Sequence, residues 1–276
     1  MTLVSFIPFI AILLFFPGVL LHRRAISALG WLIFAVYPAF EAADYLTRGE
    51  YFDASIAIVF LIFTVFFGVL IVTPRMAGAE EERLVFTITK IALITAVFYF
   101  PFALLPALET ALIALTTRLT VATLTLFNVG AYMEYPASIY STSSAFHAVY
   151  KPIEIILACT AIQSMVLFTG LVFGVSAPWK RQFKAFLASV PTIYALNLVR
   201  NVFVTAAYFG EWFGPPLRSF EIGHGVIARI FVMVSLIAVA YAVFIILPEA
   251  LDVIEDFFRV VLPLRKPVQP ESGKGA

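Results

Sequence analysis

From end to end, the sequence alternates apolar runs of about twenty residues with short polar breaks. A helix of that length crosses a hydrocarbon core ~30 Å thick, because each residue rises ~1.5 Å. Candidate spans fall at 3–21, 25–43, 53–73, 84–106, 107–129, 153–176, 183–209 and 224–247. Lipid offers backbone N–H and C=O groups no partner, so only helices or closed barrels can span it. The runs do not alternate apolar with polar residues, which removes the barrel. The expectation is an all-α, polytopic integral membrane bundle with roughly eight transmembrane helices.

Composition narrows the partners. Of 276 residues, 62% are hydrophobic and 13% charged, where a soluble domain carries about a quarter charged. The net charge of +1 and the lack of a basic cluster exclude a nucleic-acid partner. A single cysteine excludes an internal disulfide and any CxxC metal site, and neither metal nor cofactor is expected. No basic segment precedes the first apolar run and no small-residue cleavage site follows it, so a retained span is expected there. Residues 1–250 read as one transmembrane domain, with a catalytic half at about 150–235. Residues 251–276 read as a cytoplasmic amphipathic segment ending in a disordered Pro/Gly/Ser-rich tail, "PLRKPVQPESGKGA".

Orientation follows lysine and arginine in short loops. Lys180, Arg181 and Lys184 form the clearest basic loop and belong in the cytoplasm. Loops 130–152 and 210–223 then face outward. The "HRR" at 22–24 also prefers the cytoplasm, yet strict alternation through eight spans puts it outside. One resolution is that 107–129, which carries Glu109, Arg118 and many threonines, does not fully cross.

The polar residues inside the spans then share a depth. Counting from the outer ends at 1.5 Å per residue, Cys159 lies ~9 Å in, Arg200 ~13 Å and Arg229 ~8 Å, with His224 about one turn above. An arginine inside a span costs several kcal/mol unless it faces protein or water. Arg229 is shallow enough to snorkel to the headgroups. Arg200 is deeper and flanked by Asn197 and Asn201, which favours a functional cavity. A lone membrane cysteine is most often an apolar filler, but cations at its level lower a thiol's pKa. A guanidinium could also hold the oxyanion formed when a carbonyl is attacked. His224 could supply a base or an acid, or simply begin span eight at the interface. Gln163, four positions after Cys159, could hydrogen-bond a bound peptide. Glu154, about one turn toward the outer surface, could pair with Lys151 or with an arginine.

Together, "CTAIQS" (159–164), "NLVRN" (197–201) and "IGHGVIAR" (222–229) resemble the archaeosortase/exosortase group of multi-pass membrane transpeptidases, nearest its archaeosortase A branch. The resemblance covers roughly 150–235. Thr160-Ala161 stands where many exosortases have Ser-Gly. The group uses a cysteine, an arginine and a third basic residue. Cys159 and Arg200 fill the first two places, and the third falls to His224 or Arg229, with Arg229 favoured on depth. Gln163, Asn197 and Glu154 are the expected substrate-binding residues. The resemblance implies a cell-membrane enzyme whose active site faces the extracellular side. Its partner would be the C-terminal tripartite signal of exported proteins: a short motif, an apolar helix and a basic tail. The cysteine would cleave at the motif through a thioester, and a membrane lipid would accept the new C-terminus.

The rival reading is a transporter or channel whose polar intramembrane residues line a permeation path. Such proteins often carry broken helices at matching positions of two half-repeats, a symmetry the sequence lacks. It also lacks HExxH, Gly-x-Ser-x-Gly and paired intramembrane aspartates, which sets aside other intramembrane proteases.

Overall fold

A computed structural model describes residues 3–73 and 79–261. Helices α1 (Ile7–Leu20), α2 (Arg24–Arg48), α3 (Tyr51–Val72), α4 (Ala79–Leu104) and α5 (Pro106–Leu126) make up the N-terminal half. Strands β1 (Ala131–Glu134) and β2 (Ser138–Ser141), helix α6 (Ser144–Val149) and strand β3 (Ile153–Glu154) follow. The C-terminal half holds α7 (Ile162–Gly174), α8 (Trp179–Phe209), α9 (Pro216–Ile222), α10 (Ala228–Ile246) and α11 (Pro248–Val261). Among the described residues, six helical segments are long and apolar enough to cross a membrane: α2, α3, α4, α5, α8 and the run Pro216–Ile246, while α1 and α7 are shorter apolar helices. The chain is a multi-pass, predominantly helical membrane protein carrying a small three-stranded sheet that its hydropathy does not announce.

Helix boundaries follow local chemistry. Gly49 ends α2 in the left-handed region at φ 76°, where a glycine pays no Cβ penalty. Pro106 starts α5 at the first helical position, where its missing N–H is not needed.

Pairwise contacts fix the direction of each helix. Gly18 of α1 abuts Ser27 of α2, and Trp31 of α2 packs on Phe67 of α3, so these neighbours run antiparallel. Arg24 donates to Glu81 at 2.7 Å and Trp31 Nε1 to Thr89 Oγ1 at 3.1 Å, so α2 and α4 run parallel. Gly170 and Gly174 of α7 meet Thr95 and Ile91 of α4 in antiparallel order. A Cβ on Gly170 would strike the Thr95 hydroxyl and lie 2.7 Å from the Ile91 carbonyl oxygen, so the glycine permits this approach.

Those directions settle the position of "HRR". Arg24 pairs with Glu81, Arg181 with Glu249 of α11, and Arg259 of α11 lies 4.0 Å from Glu80. The α1–α2 turn, the start of α4, the α7–α8 loop and α11 therefore occupy one end of the bundle, here the basic end. At the other end, Tyr99 near the end of α4 meets Gln163, while Leu124 near the end of α5 clusters with Ile139 and Ile155. Both ends of α5 thus lie away from the basic end, and this helix does not return the chain across. That course is consistent with the expected partial crossing of 107–129, and it brings residues 22–24 and the loop at 180–184 to one end of the bundle.

Among the described residues, three apolar clusters hold the bundle. One joins α1–α4 with α11 around Phe15, Trp31, Phe67 and Val85. A second joins α7, α8, α10 and α11 around Val172, Ile193, Val243 and Leu247. The third, around Leu124, Ile139, Ile155 and Ala206, seats the sheet on the far end of the bundle. In α11, Ala250 and Val260 turn inward while Asp252, Glu255 and Arg259 are exposed, as an amphipathic segment requires. The tail 262–276 lies outside the described residues.

In the sheet, β1 and β3 flank β2, antiparallel throughout, with Glu134 opposite Ser138 and Ser138 opposite Glu154. Tyr132 stacks on Tyr140 with ring centroids 5.4 Å apart. A hydrogen bond to Glu134 holds the Tyr140 phenol above its ordinary pKa.

Candidate functional site

Residues 153–176 do not form one helix. The apolar run opens as β3, turns through a 3-10 turn at Leu157–Thr160 and becomes helical only at Ile162. Cys159 sits in that turn, its N–H donating to the Ile156 carbonyl at 2.8 Å. The Thr160 hydroxyl donates to the Leu157 carbonyl at 2.6 Å. Ala161 then takes φ 59°, a left-handed conformation that redirects the chain into α7. Two expectations change as a result. The depth of Cys159 cannot be counted at a helical rise from Ile153, and Gln163 does not share a helix face with Cys159.

A depth can instead be taken from α7 and α8. Its 13 residues give only ~20 Å of helix, short of a ~30 Å hydrocarbon core. Asn197 and Asn201, which meet the Cys159 carbonyl, lie twelve and eight residues before the end of α8 at Phe209, so the cysteine is recessed ~12–18 Å below that end of the bundle. On α8, Arg200 follows Lys184 by sixteen residues, ~24 Å, which brings it to a similar level.

Side chains from α8 fix the cysteine backbone. Asn197 Nδ2 donates to the Cys159 carbonyl oxygen at 2.7 Å, and Asn201 Nδ2 donates to the same atom at 2.9 Å. Both asparagines are buried. Arg200 Nη1 in turn donates to Asn201 Oδ1 at 3.1 Å, so one amide connects the guanidinium to the cysteine peptide.

A cavity of about 190 Å³ opens beside this turn, and Cys159, Arg200 and His224 all line it. Residues 153–156 form one wall, Asn201, Val204 and Thr205 of α8 another, and Phe220 a third. His224 is held by a π-turn, Gly223–Ile227, between α9 and α10. Its ring stacks on Phe220 with centroids 5.0 Å apart and planes 4° apart. Single π-turns within helices recur at functional sites, since they re-aim one side chain.

The other expected residues divide. Glu154 lines the cavity and is exposed. Asn197 is spent on the Cys159 carbonyl and is not part of the lining. Gln163 is exposed outside the cavity, its Nε2 3.5 Å from the Tyr99 hydroxyl. Arg229, the second residue of α10, is also exposed and outside the lining. Asn201, Thr205 and Phe220 join the site although sequence reasoning did not choose them. Asn201 alone had a visible signal, its i+4 spacing from Asn197.

Chemically, the cavity offers a soft nucleophile, a permanent cation and an imidazole that can accept or donate a proton. The model of the family described as transmembrane exosortase (EpsH) matches residues 2–241. The chain belongs to the transmembrane exosortase family. This membership agrees with the resemblance carried by the cysteine, arginine and histidine motifs. Archaeosortase A of Haloferax volcanii is 27% identical to this exosortase-family chain over 274 residues, covering 87% of the chain and 86% of that protein. Archaeosortase A of Natronomonas pharaonis is 27% identical over 279 residues, covering 85% and 89%. No solved structure matches the chain.

Proposed function

We propose that the chain is a membrane cysteine transpeptidase that cleaves the C-terminal sorting signal of exported proteins and passes the new C-terminus to a lipid. The observation that carries this reading is the single cavity shared by Cys159, Arg200 and His224. The Cys159 thiolate attacks the scissile carbonyl, and Arg200 stabilises the oxyanion. Collapse of that intermediate breaks the C–N bond, with His224 giving its proton to the leaving amine, and leaves a thioester on Cys159. A lipid nucleophile then attacks the thioester, loses its proton to His224, and the C–S bond breaks to restore the Cys159 thiolate and the protonated imidazole. Arg200 and His224 are the second and third members of the site. Arg229, outside the lining, acts at most through its charge.

The basic end is cytoplasmic on this reading, because Arg23, Arg24, Lys180, Arg181 and Lys184 gather there. The cavity at the other end then faces outward, where exported substrates and lipid headgroups meet. The transporter reading is weaker, since Phe168, Val172, Ile193 and Val243 pack into a buried apolar cluster between the cavity and the basic end. The test is the C-terminal state of exported proteins in cells carrying Cys159→Ala. The expected result is a set of surface proteins that keep their C-terminal helix and lack lipid. Normal processing in those cells, with the variant present in the membrane, would remove the proposal.

A further inference from the structure

The cavity wall opposite α8 is a strand edge. Among the described residues, β3 lies at the edge of the three-stranded sheet and pairs with β2 alone, so its second edge is open. Ile155 N–H donates to the Ala137 carbonyl at 2.9 Å, which makes that pair hydrogen-bonded. Antiparallel pairing alternates, so Ile153 and Ile155 turn their backbone groups toward β2, and Glu154 and Ile156 turn theirs toward the open edge. The Ile156 carbonyl accepts from Cys159 N–H, which ties the end of this edge to the nucleophile. The Glu154 N–H and C=O and the Ile156 N–H are thereby directed to the open side. Both residues line the cavity that holds Cys159, and both are exposed, Ile156 at 57%.

An occupant with matching needs follows from the recessed position of the cysteine. A peptide cut there must leave its helical hydrogen bonding at the scissile bond, and each unpaired backbone group at membrane depth costs several kcal/mol. An open strand edge supplies those partners. Resting on the transpeptidase reading above, we infer that the substrate segment just before the scissile bond docks as an added antiparallel or parallel strand on β3. Its backbone pairs with Glu154 and Ile156, and its scissile carbonyl is delivered to Cys159. Backbone pairing provides the affinity in such strand addition, and alternate side chains provide the selectivity. Since β3 and Ile156 together are short, only about three substrate residues can pair at ~3.3 Å each. The recognition motif is correspondingly brief.

The probe is the exported protein that Cys159→Ala cells leave with its C-terminal helix attached, its scissile bond mapped from the wild-type product. Ile156→Pro removes one edge N–H, at some cost in backbone strain, because the φ of −101° at this position lies outside the −65 ± 15° that proline adopts. The expected result is processing at least tenfold slower, with Cys159 alkylated by maleimide at a rate within twofold of wild type. Wild-type processing by a normally alkylated Ile156→Pro protein would overturn the inference. Should that variant lose its fold, photo-crosslinking decides. Benzoylphenylalanine is placed in turn at each of the four residues before the scissile bond, and the substrate is bound to the Cys159→Ala protein. Crosslinks to residues 153–156 that alternate with period two are expected. Equal crosslinking at every position, or none to 153–156, would overturn the strand. Failure of the transpeptidase reading is seen separately, as no substrate accumulating with Cys159→Ala.

Discussion

Asn197 and Asn201, one turn apart on α8, donate to a single acceptor, the carbonyl oxygen of Cys159. A carbonyl has two lone pairs, and here both are filled by buried amides from one helix. The cysteine sits in a short 3-10 turn with few local bonds, so its position relative to Arg200 depends on this clamp. Because Arg200 donates to Asn201, moving the clamp also moves the cation.

The clamp makes a non-additive prediction. Replacing either asparagine by alanine removes one hydrogen bond, worth ~1 kcal/mol net, and leaves the carbonyl one partner. Replacing both orphans a buried carbonyl, at a cost of ~1–3 kcal/mol beyond the two single losses. Thermal unfolding of the four proteins in detergent closes the cycle. Simple additivity would mean that the carbonyl finds another donor. Asn201→Ala should slow processing more than Asn197→Ala, since it also frees Arg200.

Ala161 yields a second prediction, of opposite sign. A residue with a Cβ at φ 59° carries a penalty of ~1–2 kcal/mol that glycine avoids. Ala161→Gly should therefore raise the melting temperature and leave processing intact. The same geometry explains why glycine suits this place in the Ser-Gly form of the motif. A lowered melting temperature would show that the alanine methyl is worth more in packing than its backbone costs.

How far the sequence could be read depends on the element. The end of α8 at Phe209 and the Arg200–Asn197 face were legible, because a long apolar run with polar residues three and four apart has a helical signature. The neighbourhood of Cys159 was not. "IEIILACTAIQ" is apolar enough to pass for the start of a span, and short apolar runs cannot be assigned to strand or helix by periodicity. That ambiguity concealed β3, the 3-10 turn and the left-handed Ala161, and it misdirected Gln163. The facing of His224 depends on a π-turn, which shifts facing by one residue and leaves no mark in composition.

His224 and Arg229 are separated by kinetics. Loss of a proton-transfer group costs ~10²–10⁴-fold in rate. His224→Gln should therefore reduce processing by at least ~10²-fold. Arg229→Gln removes a charge that lies outside the cavity lining and should have the smaller effect. Cleavage of a purified C-terminally anchored substrate in detergent measures both. The reverse order would reassign the third basic position to Arg229.

Gly170 sets the distance between α4 and α7, and with it the position of the turn that carries Cys159. Its missing Cβ leaves room for the Thr95 hydroxyl and the Ile91 carbonyl. Gly170→Ala should separate the helices and destabilise the protein by ~1–3 kcal/mol, the usual cost of overpacking. Adding Thr95→Ala removes one collision and leaves the other, so the double variant should recover part of the loss. Full recovery would put the whole strain on the Thr95 side chain. No recovery would put it on the Ile91 backbone.

The course of α5 decides which compartment each loop reaches. With Cys159→Ala as background, single cysteines at Arg23, Lys184, Tyr132 and Glu211 report the four relevant segments. If α5 begins and ends away from the basic end, Arg23→Cys and Lys184→Cys must behave alike. A membrane-impermeant maleimide added to intact cells should spare both and label Tyr132→Cys and Glu211→Cys. A full crossing by α5 would put residues 23 and 184 on opposite sides, and labelling of only one of them would demonstrate it. The ion pairs Arg24–Glu81 and Arg181–Glu249 argue for the first outcome, since α4 and α11 bring both pairs to one end of the bundle.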